Sequence, residues 1–188
     1  ACKSHLENVA PVLKKYGFNA TFFICRFNDE WRKKNQKHLL TGKEIKELSD
    51  MGITDLAICG MGGELIARII EDAPHLKEDG VRLILQPMTK QEHLRRFLVE
   101  SGFSVIDERF SFDSGKYYAT MVAEYSGVVR QLSDAVFDLG FDLSHHGDRV
   151  EYLGYLEGKR KAIQKALNGK IKGGLDTERE EELLRLID

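Results

Sequence analysis

A glycine-rich turn between an apolar stretch and an amphipathic stretch is the strongest constraint on this chain. The apolar run Leu56–Cys59 is typical of a buried strand, and residues Glu64–Asp72 repeat apolar side chains at helical spacing. Gly60-Met61-Gly62-Gly63 joins the two. Glycine permits positive φ and close approach of another group to the main chain. In an open α/β sheet, ligands bind at such a turn, although a tight turn without a ligand has the same spacing.

Strand and helix patterns alternate over the first 127 residues. Apolar or β-branched runs at 20–25, 81–85, 103–108 and 117–125 predict further strands, and Thr89 with Glu92 predicts a capping box for the helix before Gly102. Asp113-Ser114-Gly115-Lys116 favours an antiparallel hairpin. We therefore predict an α/β fold whose sheet is mostly parallel, with an antiparallel edge.

The chain changes character after Gly127. Residues 128–148 are predicted to be a loop, and a narrow apolar stripe in a highly charged sequence predicts a helix from Arg149. Residues 169–174 are predicted to form a turn before a last helix that Thr177 and Glu180 cap. The predicted domains are thus an α/β domain over 1–127, and a linker with a C-terminal helical hairpin over 128–188.

Composition excludes several classes of protein. The net charge is −2 and the isoelectric point about 6.4, so no overall basic field indicates nucleic acid, although local patches can still bind it. Three widely spaced cysteines favour a reducing compartment over a disulfide framework. The apolar runs are too short to span a bilayer and no signal region is visible. We expect a cytoplasmic globular protein.

Residues 53–188 contain a series of short sequence motifs that resembles the bacterial tRNA methyltransferases acting on ring nitrogen 1 of an adenine in the D-arm. These motifs occur in the same order as in that family. They are Asp55-Leu56-Ala57-Ile58-Cys59-Gly60-Met61-Gly62-Gly63, Leu83-Ile84-Leu85-Gln86-Pro87, Leu94-Arg95-Arg96-Phe97-Leu98, Gly115-Lys116-Tyr117-Tyr118, Val122-Ala123-Glu124 and Glu151-Tyr152-Leu153.

The resemblance implies a Rossmann-like fold that uses S-adenosylmethionine, with a helical hairpin that helps to hold tRNA. It places the wall of the cofactor or target-base pocket at Gly60, Met61, Gly62, Gly63, Gln86 and Pro87. It favours phosphate contacts from Lys159, Arg160, Lys161 and Lys165. Neighbouring residues of a strand point to opposite faces, so at most one ring of the pair Tyr117-Tyr118 is free to stack a base, and we assign this role to Tyr117. Two other interpretations stay open. Pro87 can simply end its strand, and the charged residues at 159–165 can form a solvated helix face that binds nothing.

Residues 1–52 resemble a different family, the polysaccharide deacetylases. The motifs that carry this resemblance are His5-Leu6-Glu7-Asn8-Val9-Ala10-Pro11-Val12-Leu13, Tyr16-Gly17-Phe18-Asn19-Ala20-Thr21-Phe22-Phe23-Ile24 and Thr41-Gly42-Lys43-Glu44-Ile45-Lys46-Glu47-Leu48-Ser49-Asp50-Met51-Gly52. The α/β domain then consists of a deacetylase-like segment (1–52) and a methyltransferase-like segment (53–127), joined near Gly52 as in a chimera.

Around this junction the sequence lacks the motifs that deacetylation and methyl transfer require. The metal-binding Asp-Asp and His-x-x-x-His pairs of deacetylases are absent, and His145-His146 has no ligand spacing, so we predict no metal site. The acidic, glycine-containing first strand of methyltransferases is also absent, so we expect weak or no binding of S-adenosylmethionine. Three functions remain: a truncated tRNA adenine-N1 methyltransferase-like domain, either active or inactive, a deacetylase-like fragment that lacks its metal site, and a non-catalytic RNA-binding or interaction module.

Overall fold

A five-stranded mixed sheet with helices forms the fold in the computed structural model, which describes residues 15, 21–25, 43, 55–77, 80–141 and 149–187. The strands are β1 (Thr21–Cys25), β2 (Asp55–Gly62), β3 (Arg82–Thr89), β4 (Phe103–Asp113) and β5 (Lys116–Tyr125). The helices are α1 (Gly63–Glu71), α2 (Gln91–Glu100), α3 (Asp134–Leu139), α4 (Arg149–Gly173) and α5 (Glu178–Ile187), with a 3-10 turn at Pro74–Lys77.

The strand order is β1-β2-β3-β5-β4. β1, β2 and β3 run parallel, with Thr21 opposite Asp55 and Asp55 opposite Arg82. β5 pairs antiparallel with β3 and with β4. This confirms the predicted α/β fold with a mostly parallel sheet and an antiparallel edge. It also places β1, which lies in the segment predicted to be deacetylase-like, beside the strand that leads into the glycine turn.

The main core lies between the sheet and helices α1 and α2. The central strands are apolar on both faces, as expected for parallel strands covered by helices. The buried residues of this core include Leu56, Ile58, Leu83 and Leu85 of the strands, Ile66 and Ile70 of α1, and Leu94 and Leu98 of α2.

The β4–β5 hairpin has the predicted two-residue turn. Asp113 lies opposite Lys116, and Ser114 and Gly115 both have positive φ, 48° and 79°. Two successive positive φ values match the right-handed twist of the flanking strands. The turn therefore lies at the end of β3, because β5 runs antiparallel to that strand.

The predicted capping box of α2 is wrong. Thr89 is still part of β3, where it pairs with Gly62, so it is held in an extended conformation. Lys90 takes the N-cap position in the left-handed conformation, with φ 58° and no side-chain capping bond. Strand pairing has overridden the local sequence signal.

Two predictions for the C-terminal part are also wrong. The predicted turn at 169–174 is helical up to Gly173, because the helix-forming Lys170 and Lys172 continue α4 until Gly174 adopts φ 62°. The predicted loop at 128–148 contains α3, which packs against α2. The helical hairpin itself is present, since α4 and α5 contact each other.

Other predictions lie outside the described residues. They concern the pair His145-His146 and the segment predicted to be deacetylase-like (1–52), apart from residues 15, 21–25 and 43. Within the ranges that are described, no helix is long and apolar enough to cross a membrane.

Candidate functional site

A hydrogen bond between neighbouring parallel strands fixes the glycine turn. The backbone N–H of Gly60 donates to Oε1 of Gln86 at 3.1 Å. Cys59 lies opposite Gln86, and the pairing then shifts, so that Met61 lies opposite Pro87. This irregularity leaves Gly60 outside the regular ladder, and the Gln86 side chain takes the place of a backbone acceptor. Two predicted pocket residues are thus brought into contact.

The glycines of the turn have different structural roles. Gly60 has φ 75°, is exposed, and has open space where a side chain would project. A Cβ on Gly62 would lie 3.1 Å from Oγ1 of Thr89, and a Cβ on Gly63 would overlap the carbonyl oxygen of Lys90. Gly62 and Gly63 therefore let the turn pack against the end of β3, whereas Gly60 presents open backbone at the edge of the sheet.

The remaining predicted pocket residues contribute less to the open surface. Met61 is buried in the main core and Pro87 is buried as well. Gln91 donates from Nε2 to the carbonyl oxygen of Pro87 at 3.5 Å, which ties the start of α2 to the end of β3. Of the predicted pocket residues, Gly60 is exposed and Gln86 is partly exposed at this edge of the sheet.

The hairpin tip carries two exposed aromatic rings. Phe112 and Tyr117 face each other across β4 and β5, with ring centroids 4.7 Å apart and planes inclined by 46°. The ring of Tyr117 occupies the space that a Cβ of Gly154 in α4 would need. Tyr117, predicted to stack a base, therefore packs against α4 and against Phe112, and it keeps a solvent-exposed part.

The predicted phosphate-binding residues lie along α4. Glu157 pairs with Arg160 at 3.8 Å and with Lys161 at 3.4 Å, and Nζ of Lys159 lies 5.6 Å from the centre of the Tyr155 ring. A shallow surface concavity on α4 is lined by Arg160, Lys161, Lys165 and Lys172, together with the acidic Glu157. Lys159 points elsewhere, so three of the four predicted residues share this concave surface.

A buried ion pair that no sequence pattern indicated joins the sheet to the helices. Arg95 donates from Nε and Nη2 to Oε1 of Glu108 at 2.9 and 2.8 Å, and from Nη1 to the Phe137 carbonyl oxygen at 2.7 Å. Oε2 of Glu108 accepts from the N–H of Phe141 at 3.0 Å. Burial opposes the charged form of Arg95, but the Glu108 carboxylate and the Tyr155 hydroxyl together outweigh it and raise the pKa of Arg95 above its usual value.

No metal centre is found in the described part of the chain. Within those ranges, no group of three or more histidine, cysteine, aspartate or glutamate side chains is arranged to hold a metal ion. The candidate site is the crevice at the carboxyl ends of the parallel strands, where the Gly60 turn meets Gln86.

The glycine turn and the parallel strands that precede and follow it define a Rossmann-like class of α/β fold. The methyltransferase domain family matches residues 28–121, which is half of the chain, and this protein belongs to that family. The matched region begins upstream of residue 53, the predicted start of the methyltransferase-like segment, and so includes residues 28–52 of the segment predicted to be deacetylase-like.

One curated relative and several solved structures are similar to the chain. The tRNA (adenine(22)-N(1))-methyltransferase of Bacillus subtilis is 38% identical over 89 residues, covering 47% of this chain and 35% of the relative. The matched part of the chain thus spans about a third of that relative's length.

The solved structures share the fold over nearly the whole chain. The B. subtilis M1A22 tRNA methyltransferase TrmK is 22% identical, with a TM-score of 0.56, over 97% of this chain and 92% of that chain. A Streptococcus pneumoniae protein in complex with S-adenosyl-L-methionine is 23% identical, with a TM-score of 0.62, over 98% and 87%. At these identities the likeness concerns the fold.

Proposed function

We propose that this chain is a tRNA adenine-N1 methyltransferase-like domain whose crevice at Gly60 and Gln86 receives the target adenine. The observation that carries the proposal is the Gly60–Gln86 hydrogen bond, which fixes an exposed glycine turn at the carboxyl ends of the parallel strands. Ligands of open α/β sheets bind at this edge. The curated relative is named for methylation of N1 of adenine 22 in tRNA, which supports the same substrate class here.

S-adenosylmethionine is the cofactor that this function requires, and it supplies a methyl group bound to a sulfonium. The open backbone at Gly60 is compatible with a planar base or an adenosyl group close to the main chain. Gln86 holds that backbone in place from the neighbouring strand. The contribution of these residues is positioning, because methyl transfer requires the acceptor nitrogen to lie in line with the bond that breaks.

The affinity for the cofactor remains a prediction from the sequence. Methyltransferases of this family hold S-adenosylmethionine with an acidic, glycine-containing first strand, and this chain has Thr21–Cys25 as its first described strand. We therefore expect binding weaker than micromolar. Isothermal titration of the 188-residue chain with S-adenosylmethionine tests this, and a micromolar dissociation constant would show that the chain holds the cofactor in another way.

The experiment that tests the proposed function measures binding and methylation of tRNA by the same protein. We expect salt-dependent binding of a tRNA transcript and transfer of labelled methyl to adenine at high cofactor concentration. Gln86→Ala should reduce methylation more than tRNA binding, because it frees the Gly60 turn. Gln131→Ala is the matched control, since Gln131 is exposed and follows the far end of β5.

A non-catalytic RNA-binding module is the second candidate function. The concave basic surface of α4 favours it, because lysine and arginine side chains there can neutralise phosphates without any cofactor. Binding of tRNA without methylation, even at high cofactor concentration, would select this candidate. Absence of tRNA binding at low salt would contradict both candidates.

A further inference from the structure

We propose that Phe112 and Tyr117 form an aromatic platform that stacks one unpaired base of the RNA substrate. This inference rests on the proposed function and names a second contact for the same ligand. The platform is a binding site separate from the crevice at Gly60 and Gln86. Its ligand is a nucleobase in a loop or another unpaired segment, since only an unpaired base presents its face to a protein ring.

The two rings form one exposed surface. Phe112 is 55% exposed and Tyr117 is 36% exposed, although both are large apolar side chains. Their centroids are 4.7 Å apart, so the rings support each other and the outer face of Phe112 remains open. Stacking of a base on aromatic side chains is a common mode of RNA recognition and tolerates any base.

The position of Tyr117 accounts for a glycine inside α4. Glycine within a helix costs about 1 kcal/mol relative to alanine. At Gly154 a Cβ would overlap the Tyr117 ring, so glycine is the residue that lets the helix and the hairpin tip meet. Tyr117 is thereby held between α4 and Phe112, which gives the platform a fixed orientation before any base arrives.

The platform lies on the same edge of the sheet as the crevice. β5 runs antiparallel to β3, so the start of β5 at Lys116 lies near the end of β3 at Thr89. Phe112 is on β4, two strands away from Gln86 on β3, and two strand spacings amount to about 10 Å. An RNA that places one base in the crevice can therefore place another unpaired base on the platform.

The charge of the adjoining helix favours nucleic acid as the partner. Lys161, Lys165 and Lys172 follow Gly154 by 7, 11 and 18 residues. At 3.6 residues per turn, these four positions point within about 20° of one helical direction. The three lysines also line the α4 concavity. A row of cations beside an aromatic platform is the combination that binds single-stranded nucleic acid, with phosphates on the cations and a base on the ring.

The test compares tRNA binding by platform variants of the full 188-residue chain, measured by fluorescence anisotropy with a labelled transcript. Phe112→Ala should weaken binding roughly fivefold or more, as expected for loss of one stacked base. Phe112→Trp should keep the wild-type affinity. Ile106→Ala is the matched control, because Ile106 is an exposed apolar residue of the same strand, 48% exposed, and should leave binding unchanged.

A blunt-ended RNA duplex separates stacking from general attraction of the phosphates. The Phe112→Ala effect should be absent with this duplex, which has no unpaired base. An equal loss on both RNAs, or no loss on tRNA while the wild-type chain binds it, would overturn the platform and leave the proposed function standing. Failure of the wild-type chain to bind tRNA at low salt would overturn both.

Discussion

Nη2 of Arg95 lies 2.8 Å from Oε1 of Glu108, and both side chains are completely buried. Tyr155 of α4 accepts a 3.3 Å hydrogen bond from the same guanidinium, and Phe137 of α3 accepts another through its carbonyl oxygen. The pair therefore joins α2 and β4 to the helices α3 and α4. This network, rather than an apolar interface alone, sets how α4 is docked on the sheet.

Removing one member of this pair should destabilise the protein strongly. We expect Glu108→Ala to lower the free energy of unfolding by about 3–5 kcal/mol, because it leaves the Arg95 charge buried without its counter-charge. Urea denaturation followed by circular dichroism measures this. The double variant Arg95→Met with Glu108→Leu should be less destabilised than Glu108→Ala, because it removes both buried charges and keeps the volume apolar.

Arg96 provides the control for the buried pair. It neighbours Arg95 in sequence, but its partner Asp134 is exposed, and solvent screens the two charges. Arg96→Ala should therefore change the urea midpoint little. An equal effect of Arg96→Ala and Glu108→Ala would contradict the role assigned to burial.

Alanine at two glycines of α4 should change stability in opposite directions. Gly158 has open space around its Cα, so Gly158→Ala should stabilise the protein by up to about 1 kcal/mol through helix propensity. Gly154→Ala should destabilise it, because the new methyl group displaces Tyr117. Thermal denaturation of both variants measures the difference.

The Tyr117 contact also predicts how these effects combine. In a Tyr117→Ala background the space beside Gly154 is empty, so Gly154→Ala should become as stabilising as Gly158→Ala. A Gly154→Ala penalty that persists without the Tyr117 ring would show that another contact requires glycine at this position.

Alanine substitutions at two positions of the glycine turn should destabilise the protein for different reasons. Gly63→Ala brings a methyl group onto the Lys90 carbonyl oxygen, so the backbone must shift, and a loss of about 1–3 kcal/mol in unfolding free energy is expected. Gly60→Ala meets no atom, but its positive φ should still cost about 1–2 kcal/mol. Equal melting temperatures for Gly63→Ala and the wild type would contradict the packing described for this turn.

Local sequence patterns identified much of the sheet. Apolar runs indicated β2 and β3, and Ser114-Gly115 indicated the hairpin, because each of these signals depends on neighbouring residues. Gly60 and Gln86 were both assigned to one pocket, and the structure brings them into hydrogen-bond contact. Whether they bind a ligand remains a prediction.

Features that depend on distant residues were not visible in the sequence. Nothing in Leu94-Arg95-Arg96 distinguishes a fully buried arginine from its exposed neighbour, since Glu108 lies 13 residues further along. α3 is six residues long, which is too short for its apolar positions to show a helical period. Thr89 carried a helix-capping signal that pairing with Gly62 overrode. In each case a tertiary contact decided the local structure.

The helical hairpin should lose stability in acid through one ion pair. Lys170 donates to Oε2 of Glu180 at 2.7 Å, and this hydrogen bond lowers the pKa of Glu180 below its ordinary value of 4.5. A carboxyl whose pKa is lower in the folded state stabilises the fold fully above its ordinary value, and that stabilisation is lost as the pH falls through the lowered pKa. The difference in urea midpoint between the wild type and Glu180→Gln should therefore be constant at neutral pH and shrink below about pH 4.5. Glu182→Gln on the same helix is the control, since Glu182 is exposed. A wild-type advantage in urea midpoint over Glu180→Gln that does not change between pH 7 and 3 would contradict the assigned ion pair.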